Sequence, residues 1–124
     1  MTSPPHVLIA EDNALVSDAM RVLFEAVGYR VSIAGEVGAI IELAARDPVD
    51  LLLLDVTLKG GDGFDVLAGL RSRSVRPRVI AALTGRDDPE LAKRCRAEGC
   101  VAVLLKPVAP RELLRMAEEW LTPP

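Results

Sequence analysis

Glu11 and Asp12 follow the apolar run HVLIA, Asp55 follows LLLL, Thr84 follows VIAAL, and Lys106 follows CVAVLL. Each therefore stands where a stretch built for a protein interior stops. A carboxylate at the edge of a continuous apolar run costs several kcal/mol unless a cation or hydrogen-bond donors meet it. Three carboxylates brought together repel one another, and unless one keeps its proton they need a divalent cation. Few and hard oxygen ligands, with room left for water and a phosphate, suit Mg2+ better than Zn2+ or a calcium cage. With a metal and the Lys106 ammonium beside it, Asp55 is held ionised. Carboxylates in such settings act as nucleophiles toward phosphoryl groups and form an aspartyl phosphate.

This chemistry requires that the ends of the apolar runs share one edge. HVLIA (6–10) reads as a strand, and Leu15, Val16, Ala19, Met20, Leu23, Phe24 and Val27 follow at helical spacing up to the stop at Gly28. YRVSIA (29–34) is a second strand, and Val37, Ile40, Ile41, Ala44 and Ala45 mark a helix that Pro48 ends. DLLLLD (50–55) shows no alternation, the pattern of a strand buried on both faces of a parallel sheet. After the turn KGGDG come an amphipathic stretch (64–71), a strand (76–83), a helix with Pro89 near its start and Gly99 at its end (87–99), a strand (100–105) and a last helix (110–121). Five alternations of strand and helix with short connections specify an α/β fold, a doubly wound parallel sheet with helices on both faces. Ligands in such sheets bind at the carboxyl ends of the strands, where the five candidates fall.

Composition removes several functions. Hydrophobic residues make up 50% of the chain and aromatic residues only 3%, so the core is aliphatic and base stacking on single-stranded nucleic acid is not expected. With 15 Lys and Arg against 18 Asp and Glu, the formal charge of −3 gives no general attraction for a polyanion, and no direct nucleic-acid contact is expected. Cys95 and Cys100 have no second cysteine pair or histidine cluster to complete a zinc set and read as small core residues. His6 reads as flanking sequence. The start, MTSPPHVLIA, lacks a charged leader, and no segment approaches about 18 apolar residues, so the expectation is a cytoplasmic protein without membrane insertion. Residues 1–124 are read as one domain with flexible ends at MTSPP and TPP.

In order, LIAEDN, LLLLDVTLKGGDG, ALTG and VLLKPV resemble the signature segments of the receiver domain of bacterial two-component response regulators, and the resemblance covers nearly the whole chain. It implies a flavodoxin-like three-layer sandwich with strand order 2-1-3-4-5. It implies that Asp55 is the phosphoacceptor, that Asp12 binds Mg2+ directly, Glu11 acts through a metal-bound water, and the Thr57 backbone carbonyl completes the protein ligands. Thr84 would contact the phosphoryl group through its hydroxyl, Lys106 would supply the cation, and the Lys106–Pro107 bond would be cis. The implied partners are a histidine kinase or histidine phosphotransfer protein as donor, and a target protein or an output domain outside this chain as receiver of the signal. Its only catalysis would be of its own phosphorylation and dephosphorylation.

The chain departs from that pattern in places. Lys59 replaces the proline usual after the phosphorylated strand, which is expected to loosen the loop and bring a positive charge near the site. Val103 stands where Tyr or Phe is usual, so the aromatic rotamer switch is absent. Arg86 and Thr57 occupy positions that modulate phosphoryl lifetime in the resembled domains. Each site residue also has a plainer reading: Glu11 and Asp12 as an acidic pair favouring a helix dipole, Thr84 as a turn or capping hydroxyl, Lys106 as a solvated charge. Jointly these leave Asp55 without a partner. A haloacid-dehalogenase-like phosphatase would need an acid where Thr57 stands. An FMN-binding flavodoxin would find its phosphate repelled by EDN, and a receiver-like adaptor that works unphosphorylated would not need the acid, Thr and Lys set.

Overall fold

A computed structural model describes residues 3–122. Met1, Thr2, Pro123 and Pro124, from the ends read as flexible, lie outside them. The strands β1 (His6–Ala10), β2 (Arg30–Ala34), β3 (Leu51–Asp55), β4 (Val79–Thr84) and β5 (Ala102–Leu105) form one parallel sheet in the order β2-β1-β3-β4-β5. The helices are α1 (Ala14–Ala26), α2 (Val37–Arg46), α3 (Gly63–Ser72), α4 (Pro89–Ala97) and α5 (Pro110–Leu121). The order reverses at β1, so the loops after β1 and β3 flank the switch point. None of the described helices is long and apolar enough to cross a membrane.

Side chains of a strand alternate between faces, and the unbroken leucine run uses both. Leu52 and Leu54 join Leu8, Ile40, Phe64 and Leu70 on the side of α2 and α3; Leu51 and Leu53 join Val7, Phe24, Leu113 and Ala117 on the side of α1 and α5. Each such leucine, fully withdrawn from water, contributes on the order of 2 kcal/mol. Cys95 and Cys100 are buried in the first of these clusters.

Most boundaries fall within a residue or two of the sequence reading, with three instructive departures. Expected from 76, β4 begins at Val79 because Pro77 has no N–H to place in a ladder. Instead of a bare turn, KGGDG closes a small antiparallel ribbon, Thr57–Leu58 against Gly61–Asp62. His6, first residue of the strand read at 6–10, is not mere flanking sequence: it is 1% exposed. One ring nitrogen lies 2.9 Å from the Pro48 carbonyl oxygen and the other 2.8 Å from Ser32 Oγ, while its backbone N–H donates to Asp50 Oδ2 at 2.8 Å.

Candidate phosphoacceptor site

The end of β1 delivers Glu11 and Asp12, and the helix behind them does not use them. Asn13 caps α1, its Oδ1 accepting from the backbone N–H groups of Leu15 (3.0 Å) and Val16 (3.2 Å), and the first turn contains no acid. The helix-dipole reading of the acidic pair therefore fails. Glu11 is buried and Asp12 exposed.

Asp55, the last residue of β3, is 3% exposed. Both of its oxygens have donors. Oδ1 accepts from the Thr57 backbone N–H at 2.9 Å, and Oδ2 from the Lys106 ammonium, which also reaches Glu11 Oε2 at 3.3 Å. Lys106 is thus no solvated strand-end charge. Its backbone N–H donates to the Thr84 carbonyl at 2.8 Å, and the peptide bond to Pro107 is cis.

One oxygen each of Glu11, Asp12 and Asp55 lies within 4.8 Å of the others. One ammonium faces three acids, and the imbalance shows in their proton affinities. Burial, then a hydrogen bond and the charge of Asp55, push the Glu11 carboxyl up from 4.5 to about 7, against the pull of Lys106. Burial alone would lower the Lys106 ammonium; its bond to Asp55 and the charges of Asp55 and Glu11 outweigh that and raise it. The donor set is all hard oxygen, partly exposed at Asp12 and short of positive charge, which fits Mg2+ and offers no nitrogen or sulfur to a softer metal.

Thr84 closes β4 beside Asp55 and is buried, its Oγ1 accepting from the Arg86 N–H at 3.1 Å. The helix that follows is capped by Asp88, not by Thr84. Arg86 places its guanidinium 2.9 Å from Asp88, not on the acidic cluster. Val103 is half-buried on β5 and, with Thr84, Ala92 and Leu105, lines a cleft of about 90 Å³. The Lys59 loop is tied to the loop after β2: the Lys59 N–H donates to the Gly35 carbonyl at 3.3 Å and its carbonyl accepts from Val37 N–H at 3.2 Å. A proline could not make the first of these bonds. Sequence reasoning missed this link because it runs through backbone atoms of residues 24 positions apart.

The family model for the response regulator receiver domain matches residues 7–118. The transcriptional regulatory protein PdtaR of Mycobacterium tuberculosis is 34% identical over 93% of this chain and 56% of its own length, so the chain spans about half of that relative. Among solved structures, a CheY-like response regulator receiver domain protein from Methanospirillum hungatei JF-1 matches with a TM-score of 0.86 at 28% identity, covering 96% of this chain and 94% of the other. The receiver domain of the sensor histidine kinase PA1611 from Pseudomonas aeruginosa PAO1, solved with a magnesium ion coordinated in its active-site cleft, matches with a TM-score of 0.80 at 26% identity over 96% of this chain and 98% of the other.

Proposed function

The chain belongs to the response regulator receiver domain family, and from that premise we propose that Asp55 takes a phosphoryl group from the phosphohistidine of a histidine kinase or phosphotransfer protein. What carries the reading is the buried Asp55 carboxylate bonded to Lys106 in the midst of two further acids. Its two donors, the Thr57 N–H and the Lys106 ammonium, hold it oriented. An Asp55 oxygen attacks phosphorus; the bond from phosphorus to the imidazole nitrogen breaks, its electron pair leaves with the nitrogen, and solvent supplies a proton to the departing ring as pH requires. The product is a mixed anhydride on Asp55.

Lys106 then neutralises part of the added charge. Because Thr84 Oγ1 accepts from Arg86, its own hydrogen is free to donate to a phosphoryl oxygen. Glu11, Asp12, Asp55 and the Thr57 carbonyl are the residues that would hold Mg2+, which when bound offsets charge on the phosphoryl oxygens. Residues 1–124 act as a single cytoplasmic receiver domain, and the signal leaves by contact with a target protein or an output domain outside this chain. The test is intact mass after incubation with acetyl phosphate and Mg2+. One added phosphoryl group is expected, absent in Asp55→Asn and in chelator; an unchanged adduct in Asp55→Asn refutes the assignment.

A further inference from the structure

The loops after β2 and β3 meet across the end of the strand that lies between them. Since β1 separates β2 from β3 in the sheet, any bond between those two loops passes beside the Glu11–Asp12 segment. Two such bonds exist, from Lys59 N–H to the Gly35 carbonyl (3.3 Å) and from Val37 N–H to the Lys59 carbonyl (3.2 Å), and Glu36 and Lys59 pair as in a parallel ladder. On the near side, Glu11 N–H donates to the Ala34 carbonyl at 3.0 Å.

Gly35 stands where this link touches the acids. A Cβ there would lie 2.8 Å from Asp12 Cα, 3.0 Å from the Glu11 carbonyl oxygen and 3.3 Å from Asp12 Cβ. The first two are backbone atoms, so a side chain of any size would displace the Glu11–Asp12 backbone itself. We propose that Gly35 and the Lys59 amide are positioning residues for the metal-binding acids: the glycine lets the β2 loop close against Asp12, and the amide ties that loop to the one that follows the phosphoacceptor. Groups that orient metal ligands without touching the metal typically hold a factor of 10 to 100 in affinity.

The proposal rests on the reading of Glu11, Asp12 and Asp55 as a Mg2+ site, so two readouts are taken on the full chain. The first is a MgCl2 titration followed by amide shifts; the second is the rate of phosphorylation by acetyl phosphate as a function of Mg2+. Gly35→Ala is expected to raise the Mg2+ dissociation constant on the order of 10-fold. The half-saturating Mg2+ for phosphorylation should rise by the same factor, with the rate at saturating Mg2+ changed less than about twofold, the split expected of lost binding alone. Lys59→Pro should raise the constant roughly 2- to 10-fold, the worth of one hydrogen bond, and Lys59→Ala, which keeps the amide, should rescue it. Should Gly35→Ala fail to fold, the comparison of Lys59→Pro with Lys59→Ala decides. Folded variants that bind Mg2+ like the parent overturn the proposal alone, as does Lys59→Ala weakened as much as Lys59→Pro. A parent chain that shows no Mg2+-dependent shifts overturns the metal reading and this proposal with it.

Discussion

β1 begins and ends in buried polar groups, and its two ends handle them differently. At the start, His6 is 1% exposed and its ring nitrogens pair with the Pro48 carbonyl oxygen and Ser32 Oγ, with Asp47 Oδ2 3.7 Å from Nδ1. Just past the end, Glu11 is 4% exposed and shares a single ammonium with Asp55. The first arrangement is closed: every bond it can make is made within the fold, as buried polar groups require. The second is open, because three acids against one cation leave negative charge that only something from outside can offset. Full satisfaction marks a part of the scaffold; a charge imbalance held in place by that scaffold marks a place for chemistry.

If that contrast is right, Lys106→Met and His6→Ala separate cleanly in a phosphorylation assay with acetyl phosphate. Losing the one ammonium that touches Asp55 should slow adduct formation on the order of 100-fold or more, the scale seen when a single charge-stabilising donor is removed. His6→Ala should leave the rate nearly unchanged. Equal losses in the two variants would break the distinction between the ends of the strand.

The imbalance also appears in stability. Glu11 has its folded pKa raised to about 7 from 4.5, so between those values the native state holds a proton that the unfolded chain has released. Unfolding free energy in metal-free buffer must then fall as pH rises from about 4.5 through about 7, by on the order of 3 kcal/mol, and level off above. Glu11→Gln should flatten the slope, and adding Mg2+ should recover stability at the alkaline end, because a ligand that binds only the folded state stabilises it. Urea unfolding across pH 5–8 measures all three; a parent whose stability rises over that range contradicts the cause given for the Glu11 shift.

At the closed end the expected effect is on stability alone. His6→Ala leaves the Pro48 carbonyl and the Ser32 hydroxyl without their partner and should lower stability by about 2 kcal/mol, with Ser32→Ala closer to about 1 kcal/mol. The urea midpoint reports both. A loss at His6 accompanied by weakened Mg2+ binding would show that the two ends are coupled through β1.

These ends also differ in how far they were legible. Asp55, Glu11, Asp12, Thr84 and Lys106 stand out because each terminates an apolar run, and in a doubly wound fold run ends converge on one edge. A sheet covered on both faces was readable from the same runs, since a four-leucine run needs a layer on each side; the strand order came from the resemblance to receiver domains, not from the runs. His6 gave no such sign: its partners, Ser32 and Pro48, lie 26 and 42 positions away in the chain. The tie at Lys59 was not legible either, because it is made by a backbone amide that any residue but proline carries.

Val103 concerns the smallest effect, on the face of α4, β5 and α5. In the usual receiver, an aromatic ring at this position swings inward as the hydroxyl residue moves toward the phosphoryl group, and the surface of α4, β5 and α5 changes shape. Val103 is half-buried beside a cleft of about 90 Å³ that Thr84, Ala92 and Leu105 share. Its β-branched side chain is stiff about χ1 and can offer only a small change in shape. A modification shifts an equilibrium only by its differential interaction with the two states, so the gap at this face should be small. Amide shifts on adding a beryllofluoride phosphoryl mimic should therefore concentrate in the loops around Lys59 and Arg86 and fade along Leu91 to Ala117. Val103→Tyr should extend them onto α4 and α5 by supplying the missing ring. If the parent already shows its dominant changes on those helices, Val103 does not limit the response, and the open site at the end of β1 is wired to that surface by some other route.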